Sequence, residues 1–231
     1  STTPNRLDLT TNARASRGHM DLPRLQEGNV ALQLFSSVSK TPKNQNYDGN
    51  GADSDNITLL TIAQLQPVKT WNSLVERSLY HAQKRDVAVA GSERALLAVD
   101  TAAQLDNLLA LRSKDLRPVG AMLTIEGLQN LEGKAANLDR LYAAGFRMAG
   151  LTHFFDNEVA GSMHGLKKGG LTPFGRDILR RMEAKGMIVD IAHLSHAGVA
   201  EVLAMAKRPV VSSHGGVQAT CKVNRNLTDD E

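Results

Sequence analysis

Glu126, His153, His193 and His214 are the residues whose types and placement could do chemistry in this chain. Each closes a short apolar run: 116–125 leads into Glu126, 146–152 into His153, 187–192 into His193 and 209–213 into His214. Two imidazoles with a carboxylate suit Zn²⁺ or a similar borderline ion. Glu126 is followed by Gly127, which leaves space beside the carboxylate. A carboxylate so placed could bridge two metals and leave a hydroxide between them as nucleophile. Taken singly, any of the four reads as a hydrogen-bonded, half-buried polar residue at a strand end. Four in the same place relative to their runs point to a site.

The elements that must position them follow from the pattern. The runs read as strands over 117–126, 146–153, 187–193 and 209–214, separated by helices over 135–144, 172–185 and 197–207. Gly145 and Gly186 stand where helix C-caps want a left-handed residue, and Thr172-Pro173 is an N-cap followed by proline at the first helical position. Upstream, residues 1–29 are polar and turn-rich, 30–38 alternates like a strand, and 39–55 is a long polar loop. From Asn56 to about Asp86 the pattern is helical, broken near Pro67; a short apolar run at 96–99 precedes a helix capped by Asp100 or Thr101. Repeated strand–helix units with polar residues at the C-terminal strand ends are the plan of a (β/α) barrel. The expected fold is therefore α/β, a TIM-type (β/α)8 barrel. Six strands are counted, two short of closure. Residues 1–231 read as a single partial barrel domain, with 39–95 a loop plus helical insertion.

Composition excludes several classes. The chain has 231 residues, 42% hydrophobic and 22% charged, with a net charge of +3, which is ordinary for a globular protein. Its basic residues are scattered, so no nucleic-acid partner is expected. The single Cys221 excludes an intrachain disulfide and any Cys-rich zinc site. No apolar stretch approaches the roughly 20 residues of a membrane span. No signal-peptide pattern opens the sequence, and the compartment stays open.

Several segments carry a resemblance. IEGLQNL, FRMAGLTHFFDN, LTPFGRDILRRMEAKGMIVDIAHLS, PVVSSHGG and CKVNRNLTDDE, with DLPRLQEGNVALQLFSS upstream, resemble the membrane dipeptidase (renal dipeptidase) family of zinc peptidases. That family is a branch of the amidohydrolase-like, metal-dependent hydrolase barrels. The likeness covers nearly the whole chain and is weakest over residues 39–95. It implies two Zn²⁺ ions per complete site, with Glu126 bridging them and His193 and His214 as ligands of the second. It implies that His153 polarises the scissile carbonyl or binds the oxyanion, and that Arg225 holds the substrate's C-terminal carboxylate, a task suited to guanidinium. The implied reaction is hydrolysis of a dipeptide through a metal-bridging hydroxide. The alternatives are a related dinuclear amidohydrolase acting on another small amide, and an inactive barrel serving as a binding or scaffold protein. A homodimer is left open.

Other residues are read against that frame. His164, in the loop 154–170, is expected near the mouth of the site, and His81 is expected to be structural. His196 is expected to face outward at a helix start, and Asp190 to support a ligand rather than bind metal. His19-Met20-Asp21 matches the family's first metal motif, His-x-Asp, but the preceding NARASRG cannot form a buried strand. It is read as a lookalike, with the metal-binding pair expected before Ser1 and a catalytic Asp on a strand beyond Glu231. On that reading the first and last barrel strands are missing, and the 231-residue chain alone is expected to have little activity.

Overall fold

The computed structural model describes residues 20–114 and 117–231. It is an α/β fold with five parallel strands: β1 (Leu32–Ser37), β2 (Leu96–Ala98), β3 (Val119–Glu126), β4 (Phe146–Gly150) and β5 (Ile188–Asp190). The order is β1-β3-β4-β5, with β2 also paired to β3. β1 runs along β3 from Gly120 to Ile125. β2 takes only Val119–Ala121 of β3, and β4 takes Leu123–Glu126, across a register shift at Leu123/Thr124. A strand has two edges, so β2 and β4 share the edge opposite β1, one on each half. Among the described residues the sheet is an arc of the expected barrel and not a closed ring.

β3 is buried on both faces, as a near-continuous apolar run in a parallel sheet should be. Leu123 and Ile125 join a core with Val75 and Ala82 of α4 (Leu74–Ala90), Leu138 and Leu141 of α6 (Ala136–Ala143), and Ile178, Leu179 and Met182 of α7 (Pro173–Ala184). Val199 and Val202 of α8 (His196–Met205) complete it. Burying each such side chain stabilises the fold by about 1.5–3 kcal/mol. Gly120 lets its neighbours pack closely on β3: a Cβ there would lie 2.6 Å from Leu108 Cδ2 and 2.8 Å from Leu32 Cδ1, so both leucine side chains would have to shift. Leu108 belongs to α5 (Ala102–Arg112), which Thr101 caps by accepting from Gln104 N. Thr172 caps α7 by accepting from Gly175 N, and Gly145 and Gly186 adopt left-handed φ values of +99° and +69°.

Three expectations are corrected. The run 209–214 forms no strand; it meets β5 at one parallel bridge, Asp190 to Val211. The Asp190 carboxylate accepts from Ser213 N at 3.0 Å, which draws the chain off the ladder. β4 and β5 stop three residues short of His153 and His193, so both histidines stand on the turns that follow. The polar stretch before β1 holds a helix, α1 (Leu22–Glu27), started by Asp21, whose Oδ1 accepts from Arg24 N at 2.9 Å. The helical insertion is broken around Pro67, as expected, between α2 (Ile57–Ala63) and α3 (Lys69–Asn72), and again at Ser73 before α4.

The loop 39–55 is built in rather than solvated throughout. Arg77, 1% exposed, donates to Ser39 O, Thr70 O and Trp71 O and to the side chains of Asp55 and Thr58. Further along the loop, Asn50 N and Asn50 Nδ2 both donate to His164 O. These bonds hold the loop against residues 154–170, beside the C-terminal ends of the strands.

Candidate metal centre

Glu126 ends β3, and the polar side chains expected at the neighbouring strand ends gather around one of its oxygens. Glu126 Oε1 lies 3.1 Å from His193 Nε2, 3.3 Å from His214 Nε2 and 3.4 Å from His153 Nε2. His193 Nε2 and His214 Nε2 are 2.8 Å apart. Within the described residues, Glu126, His193 and His214 form a group able to hold a metal ion. Separations of 2.8, 3.1 and 3.3 Å among their donor atoms approach the roughly 3.4 Å edge of a tetrahedron with bonds of about 2.1 Å. The donor set, two imidazoles and a carboxylate, is the one zinc accepts.

Electrostatics favours a cation at this group. Burial pushes His193 below the usual histidine range, more than its bond to Glu126 lifts it. Burial takes His153 down to about 4, against the pull of the Glu126 charge. Both rings are thus neutral at pH 7. Burial of Glu126 opposes ionisation, but the His193 bond and the imidazoles around it outweigh that, and its pKa lies below the usual value. An ionised carboxylate amid neutral imidazoles is a site for a cation. The Nδ1 atoms of His153 and His193 are buried without hydrogen-bond partners, which is costly for groups with no task.

The backbone also holds strain at His193. His193 has φ +65°, a left-handed conformation costing a non-glycine residue roughly 1–2 kcal/mol. It persists because the His193 carbonyl is gripped twice, by Met163 N at 2.9 Å and by Thr152 Oγ1 at 3.1 Å. The ring is bounded by His153, Phe154 and His164, with centroids 4.8, 5.5 and 5.4 Å away.

Arg225 stands beside this group. Its Nη2 donates to His214 O at 2.9 Å, and it lies within electrostatic reach of Asp190, Tyr47 and Glu126. Burial lowers its pKa against the pull of those groups. His164 differs from expectation. It is 2% exposed, stacked on Phe154 at 4.6 Å, with Nδ1 2.7 Å from Tyr47 O, so it is packed among rings beside His193 instead of lying open at a rim. His81 is structural, its Nδ1 2.8 Å from Ser37 Oγ at the end of β1. His196 Nδ1 lies 2.6 Å from Glu231 Oε1 and tethers the last residues. His19 lies outside the described residues. Asp21 is buried, caps α1 and pairs with Arg24 at 3.0 Å, and it is not part of the ligand group found among the described residues.

Comparison with known proteins identifies the lineage. The model of the membrane dipeptidase family, peptidase family M19, matches residues 2–231. This chain belongs to that family. Among curated members of similar sequence, dipeptidase aclJ of Aspergillus oryzae is 31% identical over 215 residues, covering 92% of this chain and 46% of its own length. A dipeptidase of Schizosaccharomyces pombe is 30% identical over 216 residues, covering 92% of this chain and 47% of its own. The chain thus spans about half the length of the curated relatives it matches. Two solved structures share the fold. A metallo peptidase of Rhodobacter sphaeroides has a TM-score of 0.72 at 21% identity, over 93% of this chain and 61% of that one. A second M19 metallo peptidase, dipeptidase AC, has a TM-score of 0.74 at 18% identity, over 96% and 62%. Membership of this metallopeptidase family agrees with a candidate metal site at the strand ends.

Sequence reasoning missed three contributors to this member's site. Phe154 and Tyr47, which enclose His164, follow no catalytic pattern and are met only in the fold. Ser213 adjoins His214 in sequence, and that adjacency was the one available signal of its contact with the His214 ring.

Proposed function

We propose that this protein is a zinc-dependent dipeptidase, cleaving the peptide bond of dipeptides at a site built on Glu126, His153, His193, His214 and Arg225. The observation that carries the reading is the convergence of three imidazole nitrogens on Glu126 Oε1 in a chain of a dipeptidase family. The Rhodobacter relative was solved with a phosphinate mimic of the dipeptide L-Ala-D-Ala, which favours a dipeptide as substrate class. Glu126 would bridge two zinc ions, and His193 and His214 would ligate one of them. When bound, the ions supply an activated water as nucleophile and Lewis acidity toward the carbonyl.

The chain's own residues do the rest. His153 is neutral, and its Nδ1 is buried without a partner. Its single N–H is therefore best used at Nε2, which faces Glu126 and can donate to an oxyanion forming beside it. Arg225 spends one N–H on the His214 carbonyl and keeps the rest of its planar fork for a substrate carboxylate. Its guanidinium would fix the end of a dipeptide while the peptide carbonyl lies toward Glu126.

The test is zinc content and dipeptide hydrolysis of the full chain beside Glu126→Gln. The expected result is bound zinc and a low but measurable turnover in the 231-residue parent, with zinc occupancy and turnover both lost in the variant. A parent with no zinc affinity, or a variant that binds and hydrolyses like the parent, would overturn the reading.

A further inference from the structure

We infer that Asp190 and Ser213 are positioning residues that fix the tautomer of His214, so that its Nε2 presents a bare lone pair to the metal. The inference rests on the zinc reading above and concerns residues that reading leaves unused. Asp190 ends β5 and is 6% exposed. Its Oδ1 accepts from Ala192 N and Ser213 N, both at 3.0 Å, and its Oδ2 accepts from Ser213 Oγ at 2.5 Å. The carboxylate is acceptor-only when ionised, so the hydroxyl proton of Ser213 is committed to it. That leaves the lone pairs of Ser213 Oγ facing His214 Nδ1 at 2.9 Å. Two lone pairs cannot face one another at that distance. Nδ1 must carry the proton.

A neutral imidazole has one N–H, so protonation at Nδ1 leaves Nε2 unprotonated. Nε2 is the atom aimed at Glu126 Oε1 and His193 Nε2. The relay thus runs from a buried carboxylate through one hydroxyl to the ring, and sets both the ring's orientation and its usable nitrogen. The two histidine ligands are held by different means. His193 has no such partner, its Nδ1 being buried and unbonded, and is positioned by its gripped carbonyl and the rings around it. His214 is half-exposed, with a side chain 51% accessible; among the described residues its ring meets only that of His193, edge-on at 4.8 Å, and its carbonyl accepts from Arg225, so little else fixes the ring's rotation if the relay is lost. Removing Ser213 should therefore loosen His214 selectively.

The experiment compares the full chain with Ser213→Ala, Ser213→Thr and Asp190→Asn. The readouts are zinc affinity by chelator competition and long-range ¹H–¹⁵N correlation spectra of the histidine rings. Loss of such an outer hydrogen bond to a metal-binding histidine is expected to weaken zinc binding about 10–100-fold. Ser213→Ala should lose that much, Ser213→Thr should recover most of it, and the parent's His214 should show the proton on Nδ1. Ser213 is exposed, so Ser213→Ala is expected to stay folded, which far-ultraviolet circular dichroism checks. Unchanged zinc affinity in Ser213→Ala, or zinc ligation through His214 Nδ1, would overturn the inference. A parent that takes up no zinc defeats the dipeptidase reading instead, and that result is read from the parent alone.

Discussion

Replacing Arg77 by methionine tests how the polar insertion is held beside the site. Arg77 makes hydrogen bonds at 2.7 Å to Thr70 O and to Ser39 O, 2.8 Å to Trp71 O, 2.8 Å to Thr58 Oγ1 and 2.6 Å to Asp55 Oδ2. Methionine keeps the apolar stem and removes every donor. Each buried acceptor left without a donor costs about 1–3 kcal/mol. Asp55 loses its charge partner, but its side chain is 17% exposed, and water can recover part of that loss. The sum exceeds 5 kcal/mol if nothing relaxes. The measured cost of breaking a buried pair, about 3–5 kcal/mol, is the better expectation. For a chain of this size that corresponds to a melting temperature lower by about 6–20 °C. Urea denaturation and thermal melts followed by circular dichroism would measure it. Glu126, His193 and His214 hang from β3, β5 and the segment after them, so zinc occupancy of the folded variant should be kept. A loss under about 1 kcal/mol would refute the reasoning, since it would mean that the five bonds are replaced by water at no cost.

Two further outcomes follow from the same geometry. His81 is held at about 4 by burial, with the nearby Lys84 and Arg77 charges adding to the effect. Its unfolded value is near 6.5, so below that pH the unfolded chain binds the proton first. The stability tied to a neutral His81 is complete above pH 6.5 and is lost as pH falls toward 4, a span of about 3 kcal/mol. His81→Gln should flatten that slope in denaturation curves between pH 7 and 4, and an unchanged slope would assign it elsewhere. For Arg225→Ala, dipeptide kinetics should show KM rising well over tenfold with a smaller change in kcat, and Arg225→Lys should recover little because an ammonium lacks the planar fork. Equal losses in KM and kcat would remove Arg225 from carboxylate binding.

Much of the site was legible in the sequence, because strand-end chemistry leaves a local trace. An apolar run ending in Glu126 has one strand to make and one place to put its carboxylate, and the Thr172-Pro173 and Gly186 signals bound α7 within a residue. The family likeness, which the family match over residues 2–231 bears out, is what suggested that the separate runs serve one centre. What local pattern could not show was where polar side chains far apart in sequence spend their hydrogen bonds. Asp190 takes Ser213 N across 23 residues and so ends the pairing of the run before His214. Arg77 gathers acceptors up to 38 residues away and turns a polar loop into part of the wall. His164 looked like a rim residue because its loop is glycine-rich, yet Phe154 and Tyr47 bury it. Apolar periodicity is a property of neighbouring residues, so it survives in the sequence. The satisfaction of buried polar groups belongs to the whole fold, and only the tertiary structure decides it.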